Sequence, residues 1–133
     1  MLKSLCKMGP KMAVITGVEY GDGRIGVATF DALTDSYGYF SSPKVKGVFL
    51  GTGDVVASAI VSGLTVGLSL ESSVKVAVDM AYNSIVHTVQ SPYDYRYGVD
   101  FESAIEQFIK DLKSEIQRNI DSETIANSNL TPL

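Results

Sequence analysis

A glycine-rich turn with one carboxylate stands directly before a long uncharged stretch in residues 49–64, "FLGTGDVVASAIVSGL". Gly51, Thr52 and Gly53 precede a predicted helix, and the first backbone N–H groups of a helix have no partners within it. Glycines at this point allow those groups to converge on an anion at close range. The spacing therefore indicates a site that could hold a phosphate group.

Asp54 is an unusual neighbour for an anion site, because its carboxylate repels phosphate. It fits if the reaction also removes a proton. The carboxylate could accept the proton of an attacking alcohol while the N–H groups hold the charge on the transferred phosphoryl group. The alternative is that Gly53 makes a turn and Asp54 caps the helix. The spacing alone leaves both interpretations open.

The first third of the chain predicts a helix end and about four strands. Residues 12–16 form a continuous apolar run, typical of a strand buried on both faces. Gly21 and Gly23 predict a hairpin, because glycine supplies the positive φ of a tight turn. The predicted segments are a helix end at residues 2–6 stopped by Gly9 and Pro10, strands at residues 12–16, on both sides of residues 21–23 and at residues 37–40, and a loop over residues 41–47.

Three amphipathic helices are predicted after this region, which gives an α/β fold overall. The first follows Asp54, the second runs from an N-cap at Ser69 to about Gln90, and the third follows a cap at Asp100. Beyond Asp121 the chain is polar and predicted to fray. The apolar stripes are Val56, Ile60, Gly63, Leu64 and Gly67 in the first helix, whose glycines are predicted to allow close packing, Val74, Ala77, Val78, Ala81, Ile85 and Val89 in the second, and Phe101, Ile105, Phe108, Ile109, Leu112 and Ile116 in the third.

Composition excludes several classes of protein. The 133 residues are 45% hydrophobic and 20% charged, as in a globular domain, and the net charge of −4 without a Lys/Arg cluster argues against nucleic acid. Cys6 is the only cysteine, so no internal disulfide is possible, and no signal peptide is recognisable, which predicts a cytoplasmic location. A GxGD sequence also occurs in intramembrane aspartyl proteases. However, the uncharged run over residues 55–70 is short for a spanning helix and contains polar residues.

The segment "KVKGVFLGTGDVVASAIVSGL", residues 44–64, resembles the ribokinase-like kinases and, among them, the pyridoxal kinases, which carry a GTGD box between an apolar "VF" and an apolar helix. The similarity extends to "GPKMAVITGVE" upstream and to "NSIVHTVQ" and "YRYGVDFE" downstream. It implies that residues 1–120 are the C-terminal part of one kinase domain and that residues 121–133 are a polar tail. Threonine rather than alanine in the second position of the box favours the vitamin B6 kinases.

The resemblance implies roles for ten residues in a reaction that uses ATP and Mg²⁺. Asp54 would be the catalytic base that deprotonates the hydroxymethyl group of the substrate. The N–H groups of Gly51, Thr52 and Gly53 would hold the transferred phosphoryl group. The implied ATP contacts are Thr16 and Gly17 at the phosphates, Val45, Lys46 and Phe49 at the edge of the adenine, and Ile85 over it.

Simpler explanations exist for some of these residues. Phe49 and Ile85 would also fit a hydrophobic core, and Lys46 a solvated surface. His87 lies off the apolar stripe of its helix, and the pattern favours a packed or surface side chain over a ligand. The tyrosines of the loop after the second long helix have no basic groove beside them and are predicted to cover the core: Tyr93, Tyr95 and Tyr97.

Kinases similar to this sequence are about twice as long. Their N-terminal half supplies most of the parallel sheet, the vitamin pocket, the lid and the acidic residues that position Mg²⁺. The resemblance therefore implies that this chain contributes to ATP-dependent phosphorylation of pyridoxal, pyridoxamine or pyridoxine, is inactive alone, and has as its partner a missing N-terminal half or a second copy of itself. The alternatives are a hydroxymethylpyrimidine (phosphate) kinase, a sugar kinase, or a non-catalytic nucleotide-binding module.

Overall fold

A computed structural model describes residues 1–92 and 95–129, and their fold is a three-stranded antiparallel sheet with four helices, in agreement with the predicted α/β class. The elements in chain order are α1 (Leu2–Cys6), β1 (Met12–Glu19), β2 (Arg24–Asp31), β3 (Ser36–Pro43), α2 (Thr52–Thr65), α3 (Leu70–Gln90) and α4 (Ile105–Ser128), with 3₁₀ turns at Tyr95–Tyr97 and Glu102–Ala104.

The sheet has the order β1-β2-β3, and both strand pairs are antiparallel. The predicted hairpin is confirmed, with Gly21 and Gly23 at positive φ in the turn between β1 and β2. The sequence predicted about four strands, and the described residues contain three. Residues 12–16 and the first hairpin arm, which were predicted separately, form one continuous strand. The loop predicted from residue 41 begins later, since β3 continues to Pro43.

Burial of residues 12–16 on both faces was a wrong prediction. Within the described residues β1 pairs only with β2 and therefore lies at an edge of the sheet. Met12 and Thr16 are exposed, whereas Ala13 is buried beside Phe30 and Leu2. The apolar character of this strand is thus only partly used by the neighbours that the structure shows.

The core of the fold lies between α2, α3 and one face of the sheet. Val56 and Ile60 of α2 pack with Val74 and Ala77 of α3 and with Val27 of β2. The helix order and the N-cap predicted for α3 are confirmed, because the Ser69 hydroxyl accepts a hydrogen bond from the N–H of Ser72 at 3.1 Å. The apolar stripes of α2 and α3 therefore meet as the helical periodicity predicts.

Close packing at a glycine is confirmed at Gly63 but not at Gly67. A Cβ atom at Gly63 would lie 2.6 Å from Oγ and 3.0 Å from Cα of Ser73, so the two helices touch backbone to backbone. Gly67 lies beyond the end of α2, with φ 88° and no atom within 4 Å of an added Cβ. Leu64 and Val89, which were placed in buried stripes, are exposed.

Helix α4 differs most from its prediction. It continues to Ser128, so residues 121–128 are helical rather than frayed. Asp100 caps the 3₁₀ turn before it, accepting hydrogen bonds from the N–H and the hydroxyl of Ser103 at 3.1 and 2.8 Å. The apolar stripe predicted for α4 is only partly covered, since Phe101, Ile105 and Ile109 are exposed. None of the described helices has both the length and the hydropathy that a membrane crossing requires.

Glu115 provides a polar link between α4 and α3. Its Oε1 accepts hydrogen bonds from Lys75 Nζ and from Arg118 Nη1, both at 2.6 Å, and its side chain is only 9% exposed. The hydrogen bond from Lys75 lowers the pKa of the Glu115 carboxyl below its ordinary value of 4.5. The charged form of Glu115 is therefore the one that the folded state stabilises.

We expect Glu115→Gln to lower the free energy of unfolding by about 1–3 kcal/mol at neutral pH, because charge-assisted hydrogen bonds in a nearly buried position are lost. Since the folded-state pKa is the lower one, this contribution is present at neutral pH and disappears as the pH falls below about 4.5. Urea unfolding at pH 7 and at pH 3.5 measures both effects.

Glu106→Gln is the matched control, because Glu106 pairs with Lys110 on the same helix but its side chain is 83% exposed. We expect no measurable change for it. Partial burial raises the pKa of the neighbouring Asp79 carboxyl, so the contribution of Asp79 to stability changes with pH in the opposite direction to that of Glu115. The effect of Glu115 is therefore read from the difference between variants and not from the wild-type curve alone. Equal destabilisation in both variants would contradict the role of Glu115.

Candidate functional site

Helix α2 begins with open backbone N–H groups. Its N-cap is Gly51, in the left-handed conformation with φ 81° and ψ −4°, and no side chain of the described residues caps its first turn. The Thr52 hydroxyl donates to the carbonyl oxygen of Phe49 at 2.9 Å, and the N–H of Val55 donates to the carbonyl oxygen of Gly51 at 3.1 Å. The N–H groups before Val55 are thus available to an anion.

The alternative that Asp54 caps the helix is not supported. Helix α2 starts at Thr52, so Asp54 is already in its first turn, and its side chain makes no capping hydrogen bond. The carboxylate is exposed and makes no ion pair within the described residues. A carboxylate in a first turn is favourable next to the positive end of the helix.

A cleft of about 290 Å³ lies beside this helix start, and we refer to it below as the cleft. Its walls come from the ends of β1 and β3, the segment that leads into α2, and the middle of α3. The predicted site residues that line it are Thr16, Gly17, Val45, Phe49, Thr52, Gly53 and Ile85. Segments that are far apart in the sequence therefore meet at one concavity, which is the usual form of a small-molecule site.

Three of the predicted site residues lie outside this lining. Gly51 is exposed at the N-cap of α2. Asp54 is likewise exposed at the helix start, and Lys46 is exposed on the loop after β3. The structure thus brings together the predicted phosphate and adenine contacts, with the exception of Gly51 and Lys46, and leaves the predicted base at the edge of that assembly.

The bulge in β1 forms part of the cleft wall. Thr16 pairs with Val27 and Val18 pairs with Gly26, so Gly17 is an extra residue without a partner in β2. Its φ of 71° is the left-handed conformation that such a bulge requires. Bulges of this kind bend a strand and change the direction of its side chains, which explains how the end of an edge strand reaches the cleft.

The loop that enters α2 is held by the segment after α3. The N–H of Val99 donates to the carbonyl oxygen of Leu50 at 3.1 Å. The neighbouring N–H of Asp100 donates to Oγ1 of Thr88, within α3, at 2.7 Å. These two hydrogen bonds fix the position of the glycine-rich turn relative to α3.

Sequence reasoning missed several lining residues, of which Ser42, Lys44 and Tyr82 carry polar side chains. Tyr82 could have been found, because Val78, Tyr82 and Ile85 share one face of α3 at helical spacing. Lys44 adjoins the predicted contact Val45, but no pattern distinguishes it from Lys46. The remaining lining residues that were missed are Ile25, Gly26, Val27, Pro43, Gly47, Val56, Val78 and Ala81.

The other candidates lie away from the cleft. His87 is half-buried in the last turn of α3 and is not part of the lining. Tyr97 is 95% exposed, so the prediction that it covers the core is wrong. Tyr93 and the side chain of Tyr95 lie outside the described residues. Across residues 1–92 and 95–129, no three His, Cys, Asp or Glu side chains gather in a way that would hold a metal ion.

Comparison with solved structures identifies the fold. A protein of Bacteroides thetaiotaomicron, provisionally described as a phosphomethylpyrimidine kinase, matches 80% of this chain at 26% identity with a TM-score of 0.75. A second crystal form of it, with pyridoxal, matches at 27% identity and a TM-score of 0.74. Pyridoxal kinase from Lactobacillus plantarum matches 74% of this chain at 27% identity with a TM-score of 0.66. This chain has part of the ribokinase-like kinase fold.

The chain covers only part of the length of the kinases that it matches. This chain spans 36% of the first Bacteroides structure and 35% of the Lactobacillus enzyme. Pyridoxal kinase from Entamoeba histolytica, at 19% identity and a TM-score of 0.58, supports the same fold. No protein-family model matches the sequence, and no curated protein matches it significantly. The ribokinase-like assignment therefore rests on three-dimensional similarity.

We expect opposite effects from adding a methyl group at the two glycines of the turn. Gly51→Ala lowers the free energy of unfolding by about 1–2 kcal/mol, because an L side chain is strained at positive φ although the space around it is open. Gly53→Ala leaves stability unchanged or raises it by up to about 1 kcal/mol, because Gly53 is helical and an added Cβ meets nothing within 4 Å. Urea unfolding of both variants gives the comparison, and a shift of the same sign in both would refute the conformational role of Gly51.

Proposed function

We propose that this chain supplies the nucleotide-binding and phosphoryl-transfer part of a ribokinase-like kinase. The observation that carries the proposal is that the cleft adjoins an uncapped helix start, and that Thr16, Gly17, Thr52 and Gly53 all line it. Phosphates bind to open helix N–H groups, while the apolar lining suits a nucleobase. The proposed reaction transfers the γ-phosphoryl group of ATP to an alcohol.

Asp54 is the proposed general base. Its carboxylate is exposed at the same helix start as the anion site but outside the lining of the cleft. In an in-line transfer, the attacking oxygen and the leaving oxygen lie on opposite sides of the phosphoryl group. A base outside the nucleotide cleft, next to the N–H groups that hold the phosphoryl group, can therefore accept the proton of the alcohol.

The proposed substrate is a vitamin B6 vitamer, phosphorylated at its hydroxymethyl group. Support comes from the GTGD box and from two of the similar structures, a pyridoxal kinase and a protein crystallised with pyridoxal. The second candidate is a hydroxymethylpyrimidine (phosphate) kinase, because the Bacteroides protein is described as a phosphomethylpyrimidine kinase. Hydroxymethylpyrimidine offers a primary alcohol on an aromatic ring, as the vitamers do, so Asp54 would serve as the base in either reaction.

The proposed partner is the remainder of a ribokinase-like kinase domain, since this chain spans only 36% of a similar enzyme. Large apolar side chains are exposed on α2, just after it and on α4, including Val61, Val66, Ile105 and Ile109, and β1 lies at a sheet edge. Such surfaces favour association with another polypeptide. Mg²⁺ supplies charge neutralisation in phosphoryl transfer, and the described residues offer it no cluster of carboxylates.

A chimeric enzyme tests the phosphoryl-transfer role. This chain replaces the part of the Lactobacillus plantarum pyridoxal kinase that it matches, and ATP-dependent phosphorylation of pyridoxal is measured. We expect the chimera to be active and Asp54→Ala to reduce its turnover by about 10²–10⁴-fold, because the general base is lost. The affinity for ATP is expected to stay the same, since Asp54 lies outside the cleft.

Asp121→Ala is the control in the chimera, because Asp121 is exposed on α4 and bonds only to Gln117 in the described structure. Its turnover is expected to equal that of the unmodified chimera. An active chimera that is indifferent to Asp54→Ala would refute the base. A correctly folded chimera that binds ATP without transferring phosphate would favour the non-catalytic nucleotide-binding module.

A further inference from the structure

Lys44 is the one charged side chain in the described lining of the cleft, where the other residues are apolar, hydroxyl-bearing or glycine. Its backbone is fixed, because its N–H donates to the carbonyl oxygen of Gly23 at 2.8 Å. Its Nζ donates to Oε1 of Glu19 at 2.6 Å. The ammonium group of Lys44 is therefore held by a carboxylate at the cleft wall.

Glu19 stands at the end of β1, two residues beyond the Gly17 bulge, and is not part of the cleft lining. The ion pair is accessible to water, since the side chains of Lys44 and Glu19 are 43% and 61% exposed. Exposed ion pairs of this kind contribute little net stability, and the long lysine side chain rotates easily. The pair can therefore open at small cost when a stronger anion enters the cleft.

Resting on the proposed nucleotide role of the cleft, we propose that Lys44 binds the phosphate chain of the nucleotide and that Glu19 competes with it for the same ammonium group. A triphosphate carries more negative charge than one carboxylate and also meets the open N–H groups at the start of α2. Glu19 thus weakens nucleotide binding, because the phosphate chain must displace it from Lys44.

The ion pair could instead serve only to connect the end of β1 with the residue after β3. In that case, removing either partner would disturb the same contact, and both changes would act on binding in the same direction. Competition requires effects of opposite sign, because Lys44 would contribute to phosphate binding and Glu19 would oppose it. It also requires that the effect of Glu19 disappear once Lys44 is absent.

Isothermal titration of the full chain with ATP, with inorganic tripolyphosphate and with adenosine tests the proposal. We expect Lys44→Met to weaken binding of ATP and tripolyphosphate about tenfold or more, as loss of a charge-assisted hydrogen bond does. Glu19→Gln is expected to tighten both by about two- to fivefold. Adenosine, which has no phosphate, is expected to bind equally to all variants, and the double variant to behave as Lys44→Met.

The controls remove a similar ion pair elsewhere. Lys3 and Asp35 pair at 2.7 Å and neither lines the cleft, so Lys3→Met and Asp35→Asn are expected to leave all three affinities unchanged. If the wild-type chain binds neither ATP nor tripolyphosphate, the proposed nucleotide role of the cleft fails together with this inference. If it binds them but Glu19→Gln weakens or does not alter binding, or adenosine affinity also changes, only the competition between Lys44 and Glu19 is refuted.

Discussion

The N–H groups at the start of α2, which have no side-chain cap within the described residues, are the constraint on which the rest of the site depends. They stay open because a glycine, which has no capping side chain, occupies the N-cap in the left-handed conformation. A hydrogen bond between the segment after α3 and Leu50 holds the turn from outside. The packing of α2 on α3 through Gly63 and Ser73 fixes the direction in which those groups point.

The start of α2 lies between two different environments, the cleft and the solvent around Asp54. On the cleft side, Thr52 and Gly53 face a lining that is mainly apolar, with Lys44 as its charged member in the described residues. At the exposed side of the first turn, Asp54 is in contact with solvent. A phosphoryl group held by the helix would lie between a nucleotide and an alcohol, so one structural element can orient both reactants and stabilise the transferred group.

Periodicity predicted α2 and α3 well, because each buries one continuous face and the two faces meet. It failed at residues 12–16 and on α4, where the sequence is apolar but the described residues offer too few neighbours to cover it. The GTGD box predicted the helix start, and the resemblance around it predicted a minority of the residues that line the cleft. The contribution of Lys44 could not be predicted, since only the path of the chain after β3 distinguishes it from Lys46.

The bulge at Gly17 also affects how readily the edge strand β1 can pair with strands of other molecules. An uninterrupted edge strand of eight residues is a template on which strands of other molecules can add and grow into fibres. The extra residue breaks the repeat of the edge hydrogen-bonding groups and twists the strand, so an incoming strand can stay in register only over a short piece. The distortion that shapes the cleft wall thereby also limits amyloid-like stacking at the β1 edge of the sheet.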